Sequence, residues 1–102
     1  MDGKQPTLML IVRGLKSKLP EDELERRMKE RKERFREVPG LVQKYYAHDG
    51  SSDEWAGIYL WEDKAALDRY LESDLKNTIA SAYELTGAPR FEVFPIVDVL
   101  RT

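Results

Sequence analysis

The side chains that could do chemistry gather in one stretch, LVQKYYAHDGSSDEWAGIYLWED, at residues 41–63. It contains the only histidine of the chain, His48, together with Lys44, three of the five tyrosines and both tryptophans. A lysine ammonium can stabilise a phenolate, and a histidine can accept a proton near neutral pH. Aromatic rings can hold a flat molecule by stacking. The composition therefore indicates a surface that lines a pocket, a partner interface or both.

Two predicted β-strands, at about 41–48 and 54–61, position these side chains, and the turn-rich loop DGSSD joins them. Pairing Asp49 with Glu54 leaves a four-residue loop, which is a common hairpin length. The resulting register places His48 opposite Trp55, Tyr46 opposite Gly57, Lys44 opposite Tyr59 and Val42 opposite Trp61.

Side chains alternate along a strand, so each strand divides into two sets. One set is predicted to pack under helices, and it comprises Leu41, Tyr45, Ala47, Ala56, Ile58 and Leu60. The other set is predicted to line the uncovered face of the sheet, and it comprises Val42, Lys44, Tyr46, His48, Trp55, Gly57, Tyr59 and Trp61. Gly57 is expected to leave a gap beside Tyr46, where a ligand could approach the sheet.

The remaining segments complete a β-α-β-β-α-β order. They are predicted as a strand at 7–13, a helix from Pro20 to about Glu37, helices at 64–73 and about 74–85, and a last strand at 90–97. Asp63 suits a helix cap, and Pro95 marks the last strand as an edge strand. This order predicts a ferredoxin-like α+β sandwich, in which a four-stranded antiparallel sheet carries the helices on one face. We expect residues 1–102 to form this single domain.

Length, charge and composition narrow the function classes. With 102 residues, a net charge of −2 and no cysteine, the chain offers no global basic field for nucleic acid and no thiolate metal site. Residues 21–37 interleave seven acids with seven bases, including Glu23 with Arg27 and Glu25 with Lys29, which is typical of a solvated helix face. The apolar run near the N-terminus is too short for a signal peptide or a membrane span, so a cytoplasmic location is expected.

The predicted uncovered face carries two indoles and two phenols, which form too large an apolar patch for a monomer to leave in water. Pairing with a second copy of the chain, sheet to sheet, would cover the patch. We therefore expect a homodimer that encloses a cavity beside each sheet.

Several of these residues also form a pattern that resembles a known family. The pattern comprises the turn Pro39-Gly40, Lys44 two residues before Tyr46, the block AGIYLWED at 56–63, and Ala66, Tyr70 and Leu71 on the following helix. It is similar to that of the YdhR-type monooxygenases, which belong to the dimeric α/β-barrel superfamily together with the antibiotic-biosynthesis monooxygenases. The resemblance implies a ferredoxin-like homodimer with a pocket and a monooxygenase activity, for which no cofactor is expected. With one histidine, no cysteine and no acidic pair at ligand spacing, the sequence also predicts no metal site.

On that basis, the expected function is cofactor-independent oxidation of a small phenol- or quinol-like molecule in a pocket on the open sheet face. Lys44 would stabilise the phenolate and His48 would accept its proton. Substrate contacts are expected from Tyr46, Trp55, Gly57, Tyr59 and Trp61. A non-enzymatic small-molecule-binding or dimerisation module of the same fold is the alternative, in which Lys44 pairs with a carboxylate such as Glu92 and His48 is merely solvated or caps the hairpin.

Overall fold

A computed structural model describes residues 5–101 of the chain, and its elements follow the predicted order. They are β1 (Leu8–Leu15), α1 (Glu21–Arg36), β2 (Leu41–Asp49), β3 (Glu54–Trp61), α2 (Lys64–Leu71), α3 (Asp74–Asn77), α4 (Ile79–Ala82) and β4 (Arg90–Pro95). The strands form one antiparallel sheet in the order β2-β3-β1-β4. This confirms the ferredoxin-like sandwich, with β1 central and the proline-containing β4 at an edge. Over residues 5–101, no helix combines the length and apolar character that crossing a membrane requires.

Local sequence signals set the helix ends as predicted. α1 begins after Pro20 and has three acids in its first turn, where the positive end of the helix dipole stabilises negative charge. It ends before Pro39-Gly40, and Gly40 adopts φ +81°, a left-handed conformation that favours glycine. Asp63 caps α2, because its carboxylate accepts a hydrogen bond of 2.9 Å from the backbone N–H of Ala66.

The weaker helical segment after α2 is broken into the two short helices α3 and α4. Thr78 lies between them, and its hydroxyl donates to the backbone carbonyl of Asp74 at 2.6 Å. The same hydroxyl accepts a hydrogen bond of 3.1 Å from Arg31 of α1. A threonine that bonds to the preceding turn competes with regular helix geometry, so the single predicted helix does not form.

The predicted register of the β2–β3 hairpin is confirmed over most of its length. Asp49 pairs with Glu54. As expected, His48 then lies opposite Trp55, Tyr46 opposite Gly57 and Lys44 opposite Tyr59. The exception is at the open end, where Leu41 rather than Val42 lies opposite Trp61. An irregularity between Leu41 and Gln43 leaves Val42 without a cross-strand partner, as a bulge does.

The predicted orientation of this hairpin is wrong: the aromatic set faces the helices. Tyr59 is 3% exposed and Trp61 is 0% exposed. The Tyr59 ring lies 5.8 Å from the ring of Phe35 on α1 and 5.4 Å from that of Tyr70 on α2, measured between centroids. The space between a sheet and its covering helices is deep, and large rings fill it where small aliphatic side chains would leave voids. Ala56, Ile58 and Leu60, which were predicted for the helix side, therefore lie on the other face. Leu41 is the exception, because it lies opposite Trp61 and packs against the core as predicted.

The uncovered face is consequently aliphatic rather than aromatic. Met9, Ile11, Ile58 and Leu60 form adjacent cross-strand pairs on β1 and β3, and all are half-buried. Tyr45, predicted to face the helices, pairs with Ile58 on this face and is 54% exposed. At the other edge Phe94 is 48% exposed.

Candidate functional site

A pocket lies inside the domain, between the hairpin, α1 and the segment that follows α4. We call it the inner pocket. Four of the predicted site residues line it, namely Lys44, Tyr46, Trp55 and Gly57, together with helix-side neighbours that include Leu24, Met28 and Tyr83. Its free volume is about 40 Å³, which is room for a few water molecules. The pocket therefore lies on the helix side of the sheet, because the face that carries these residues is the covered one.

The charged end of Lys44 is enclosed by aromatic rings. Its Nζ lies 3.4 Å from the ring centre of Phe35, 4.3 Å from that of Tyr46 and 4.5 Å from that of Tyr59. Within residues 5–101 no carboxylate pairs with it, and Glu92 lies on the opposite face of the sheet, beside Ile11. Ring faces attract an ammonium ion, but they do not replace the water that it loses.

This enclosure changes the proton affinity of Lys44. Desolvation by burial, with a smaller contribution from the charge of Arg31, lowers the pKa of Lys44 from 10.5 to about 7. At neutral pH the side chain is therefore present both as an ammonium ion and as a free amine. A free amine can accept a proton, which an ordinary surface lysine does not do at this pH.

Tyr46 places an unsatisfied hydroxyl beside Lys44. The hydroxyl is buried and has no hydrogen-bond partner among the described residues. Burial raises the pKa of Tyr46 to about 12, so its phenol is neutral and can donate. A buried donor without a partner costs free energy, and a bound molecule that accepts its hydrogen bond would recover that cost.

Arg31 is a buried residue that the sequence reasoning missed. Its guanidinium donates to the carbonyl of Leu75 at 2.5 Å and to the hydroxyl of Thr78 at 3.1 Å, and it lies 5.2 Å from the ring centre of Tyr83. Its Nε atom has no partner in the described part of the chain. The sequence contains a signal for this burial, because position 31 continues the helical stripe of Leu24, Met28 and Phe35.

Tyr59 and Trp61 belong to the hydrophobic core more than to the pocket. The hydroxyl of Tyr70 donates to that of Tyr59 at 3.3 Å, and burial holds the pKa of Tyr59 well above its usual value. The expected gap at Gly57 is filled by the Tyr59 ring, because a Cβ at position 57 would come within 2.9 Å of the Tyr59 Cε1 atom. Gly57 thus allows Tyr59 to lie along the strand and complete the ring enclosure of Lys44.

His48 is not brought to Lys44. Its Nε2 lies 2.9 Å from an Oδ1 oxygen of Asp53 in the hairpin loop, and its ring stacks on Trp55 at 4.1 Å between centroids. The two residues are four positions apart on one strand, which separates them by roughly 13 Å. Lys44 and His48 therefore cannot act on the same hydroxyl group of a small molecule. His48 contacts the pocket wall only through its stacking on Trp55.

A wider depression adjoins the inner pocket between α1 and β2, and we call it the outer groove. Its volume is about 320 Å³, within the range of sites for small ligands. Its lining comprises Lys32, Phe35, Arg36, Leu41, Val42, Gln43, Lys44 and Tyr46. Because Lys44 and Tyr46 line both spaces, a molecule in the outer groove would lie against both side chains.

No group of three or more histidine, aspartate or glutamate side chains within residues 5–101 is arranged to hold a metal ion. The polar residues that line the inner pocket are Ser17, Lys44, Tyr46, Trp55 and Tyr83, and those that line the outer groove are Lys32, Arg36, Gln43, Lys44 and Tyr46.

Comparison with known proteins gives a family and a set of structural neighbours. The family model described as "Putative mono-oxygenase ydhR" matches residues 10–99. No curated protein sequence matches the chain.

The solved structures include SnoaB, a cofactor-independent oxygenase from Streptomyces nogalater, at a TM-score of 0.73 and 18% identity over 95% of this chain and 99% of that one. NE2512, a protein of unknown function from Nitrosomonas europaea, has a TM-score of 0.78 and 18% identity over 98% of both chains. A Caulobacter crescentus structure described as a "putative antibiotic biosynthesis monooxygenase" has a TM-score of 0.73 and 17% identity over 91% of this chain and 92% of that one. At these identities the likeness shows a shared fold.

Proposed function

The chain belongs to the YdhR family of mono-oxygenase-like proteins, and from that premise we propose that it oxidises a small phenol- or quinol-like molecule without a cofactor. The observation that carries the proposal is the state of Lys44, an amine enclosed by three rings, without a carboxylate partner in the described chain, at the junction of the inner pocket and the outer groove. That environment suits the activation of an acidic aromatic hydroxyl.

The inner pocket is too small for an aromatic ring, so the substrate ring is assigned to the outer groove. There Phe35 and Tyr46 offer aromatic surface, and Leu41 and Val42 offer aliphatic surface. The substrate hydroxyl would lie at Lys44, with the inner pocket available to dioxygen or to one small substituent.

In the first step the free amine of Lys44 accepts the proton of the substrate hydroxyl. The products are a phenolate and an ammonium ion, and their attraction is strong because the rings exclude water from the pair. This assigns the proton to Lys44 rather than to His48, since His48 lies roughly 13 Å away along the strand. His48 then contributes only through its stacking on Trp55.

In the second step the electron-rich anion reduces dioxygen directly. One oxygen atom enters the product and the other leaves as water, so that a quinol and dioxygen give a hydroxyquinone and water. The substrate supplies all four electrons, and no external reductant is required. The unpaired hydroxyl of Tyr46 can donate to the oxygen on which negative charge develops.

We also propose that the chain works as a homodimer, through the aliphatic face of the sheet. Met9, Ile11, Ile58 and Leu60 form a continuous apolar strip there, and Tyr45 at its edge is more than half exposed. A second copy placed sheet to sheet would cover the strip. The pairing surface thus differs from the one expected from the sequence, while the expected partner stays the same.

A non-enzymatic binding module is the second candidate. It is favoured by the small volume of the inner pocket and by the distance between His48 and Lys44. Such a module would bind the same aromatic molecules and leave them unchanged.

Oxygen uptake separates the two candidates. Chelator-treated protein would be supplied with hydroquinones, naphthols and polycyclic phenols, and the rate would be compared with autoxidation. We expect saturable uptake that is lost in Lys44→Ala and retained in Lys64→Ala, a matched change at an exposed lysine of α2. Quenching of tryptophan fluorescence by the same compounds, without uptake, would instead establish the binding module.

A further inference from the structure

The outer groove is lined by three cations and by no acid. They are Lys32 and Arg36, which project from α1, and Lys44 from β2. We propose that the groove selects an acidic ligand, an aromatic molecule that carries a carboxylate as well as its hydroxyl. The inference rests on the proposed function, because it names the substrate class of the same site.

Among the acids of α1, only Glu33 forms an ion pair with a groove cation, Arg36, within residues 5–101. Glu23 pairs with Arg26 and Arg27, at 2.6 and 2.7 Å, and Glu30 pairs with Arg26 at 2.8 Å, all on other faces of the helix. Within the described chain Lys32 has no ion-pair partner at all. The positive charge of Lys32 is therefore available to a ligand.

Arg36 is only partly engaged. Its Nε donates to Glu33 at 3.1 Å, and no bond from its two terminal nitrogens falls within residues 5–101. A planar guanidinium matches a planar carboxylate better than it matches a neutral group, because two parallel hydrogen bonds can form. A carboxylate at the rim would fit this residue.

At the inner end, the unpaired groups also have the polarity that an anion prefers. The Nζ of Lys44 and the hydroxyl of Tyr46 can each donate, and neither has a hydrogen-bond partner in the described part of the chain. Behind them Arg31 adds a buried charge with an unpartnered Nε. All of these groups would be better satisfied by negative charge than by a neutral quinol.

The distribution of apolar surface orients the ligand. Phe35, Leu41 and Val42 lie along the groove between the rim cations and Lys44. A ring would cover this surface, with its carboxylate at Lys32 and Arg36 and its hydroxyl at Lys44.

The test compares two ligands that differ only in charge, 1,4-dihydroxy-2-naphthoate and its carboxamide. Both would be titrated into the protein by calorimetry without oxygen, so that binding is measured apart from oxidation. We expect the acid to bind about tenfold more tightly than the amide at low salt, and this preference to shrink as salt is added. Circular dichroism would confirm that each variant is folded.

Three single variants locate the preference. Lys32→Gln and Arg36→Gln should each weaken binding of the acid by about three- to tenfold and leave the amide unchanged. Lys64→Gln, which removes one exposed charge that does not line the groove, should change neither. Equal affinity for acid and amide, or a preference that neither groove variant reduces, would overturn the inference. Admitting oxygen then tests the proposed function separately. An acid that binds selectively but is not oxidised would support the anion site and contradict the monooxygenase activity.

Discussion

The Nζ atom of Lys44 lies 3.4 Å from the centre of the Phe35 ring, so that a helix side chain covers the charged end of a strand side chain. This contact joins the two layers of the sandwich at the point where the inner pocket meets the outer groove. It also places a cation in an interior that has no carboxylate to balance it, within the described chain. Such a site is expected to reduce stability in return for reactivity.

Removal of this cation should therefore separate stability from activity. Lys44→Met keeps a long, flexible side chain and removes the charge, so we expect the free energy of unfolding to rise by about 1 kcal/mol while oxygen uptake is lost. Urea denaturation at pH 7 measures the first effect, with Lys64→Met as a surface control expected to stay within about 0.5 kcal/mol of the wild type. A clear loss of stability in Lys44→Met would mean that the ring contacts outweigh the desolvation of the ammonium.

Stability should also depend on pH through Lys44. The pKa of this residue is about 7 in the folded chain and 10.5 in the unfolded one, because burial disfavours the charged form. Between these values the unfolded chain binds a proton that the folded chain does not, so stability rises with pH. Between pH 7 and 9 the unfolding free energy of the wild type should rise, relative to that of Lys44→Met, by up to about 1.4 kcal/mol per pH unit. Below pH 6 the difference between the two proteins should not change with pH. Parallel stability curves for the two proteins would show that the pKa of Lys44 is not lowered.

Activity should follow the same group. If the free amine of Lys44 accepts the substrate proton, kcat/KM for oxygen uptake should rise with pH and level off above about pH 7. His48→Gln should leave this limb of the pH profile in place, because His48 is held at Asp53 and does not reach the groove. If this rising part of the pH profile shifted or disappeared in His48→Gln, the proton acceptor would be His48.

Gly57 should tolerate no side chain. In Gly57→Ala the new Cβ would lie 2.9 Å from the Tyr59 ring, which is 3% exposed and cannot move freely, so we expect a loss of about 1–3 kcal/mol in unfolding free energy. A weaker interaction with the substrate should accompany it, because Tyr59 helps to enclose Lys44. Gly50→Ala, where no atom lies within 4 Å of the added Cβ, is the matched control for denaturation and oxygen uptake. Equal stability of both variants would contradict this account of the Tyr59 ring position.

The aliphatic sheet face should control assembly. Tyr45→Glu introduces a charge beside Ile58 on the face assigned to the homodimer, at a position exposed enough to be harmless in a monomer. We expect the variant to run as a folded monomer in light scattering, and the wild type as a dimer. A dimeric Tyr45→Glu protein, or a monomeric wild type, would contradict the proposed pairing surface.

Part of this structure could be predicted because it depends on neighbours in the sequence. The cap at Asp63, the end of α1 before Pro39 and the edge position of Pro95 each follow from the backbone chemistry of one or two residues. The loop length set the hairpin register, so Lys44 was correctly placed opposite Tyr59. The distance between Lys44 and His48 also follows from strand geometry, although both residues were predicted to act on the same substrate hydroxyl.

The position of Arg31 on the stripe of Leu24, Met28 and Phe35 could be read from the sequence, but its bonding partners could not. The helix around it is strongly charged, which is typical of a solvated face, so its sequence does not indicate which groups a buried guanidinium would bond. Its partners Leu75 and Thr78 lie 44 and 47 residues away in the sequence. Only the packing of the segment after α2 against α1 brings them together.

The sequence by itself determined the order of the elements and, from Gln43 to Leu60, the register of the hairpin and its two side-chain sets, because turns, caps and the twofold alternation of strands are local. The tertiary structure alone decided which set meets the helices. Both sets are apolar enough for a core, and the choice depends on volume: Tyr59 and Trp61 fill the depth between the sheet and the helices, where Phe35 and Tyr70 meet them. That choice carried Lys44 inside with the rings, and so converted a surface lysine of the predicted sheet into the buried amine of the site.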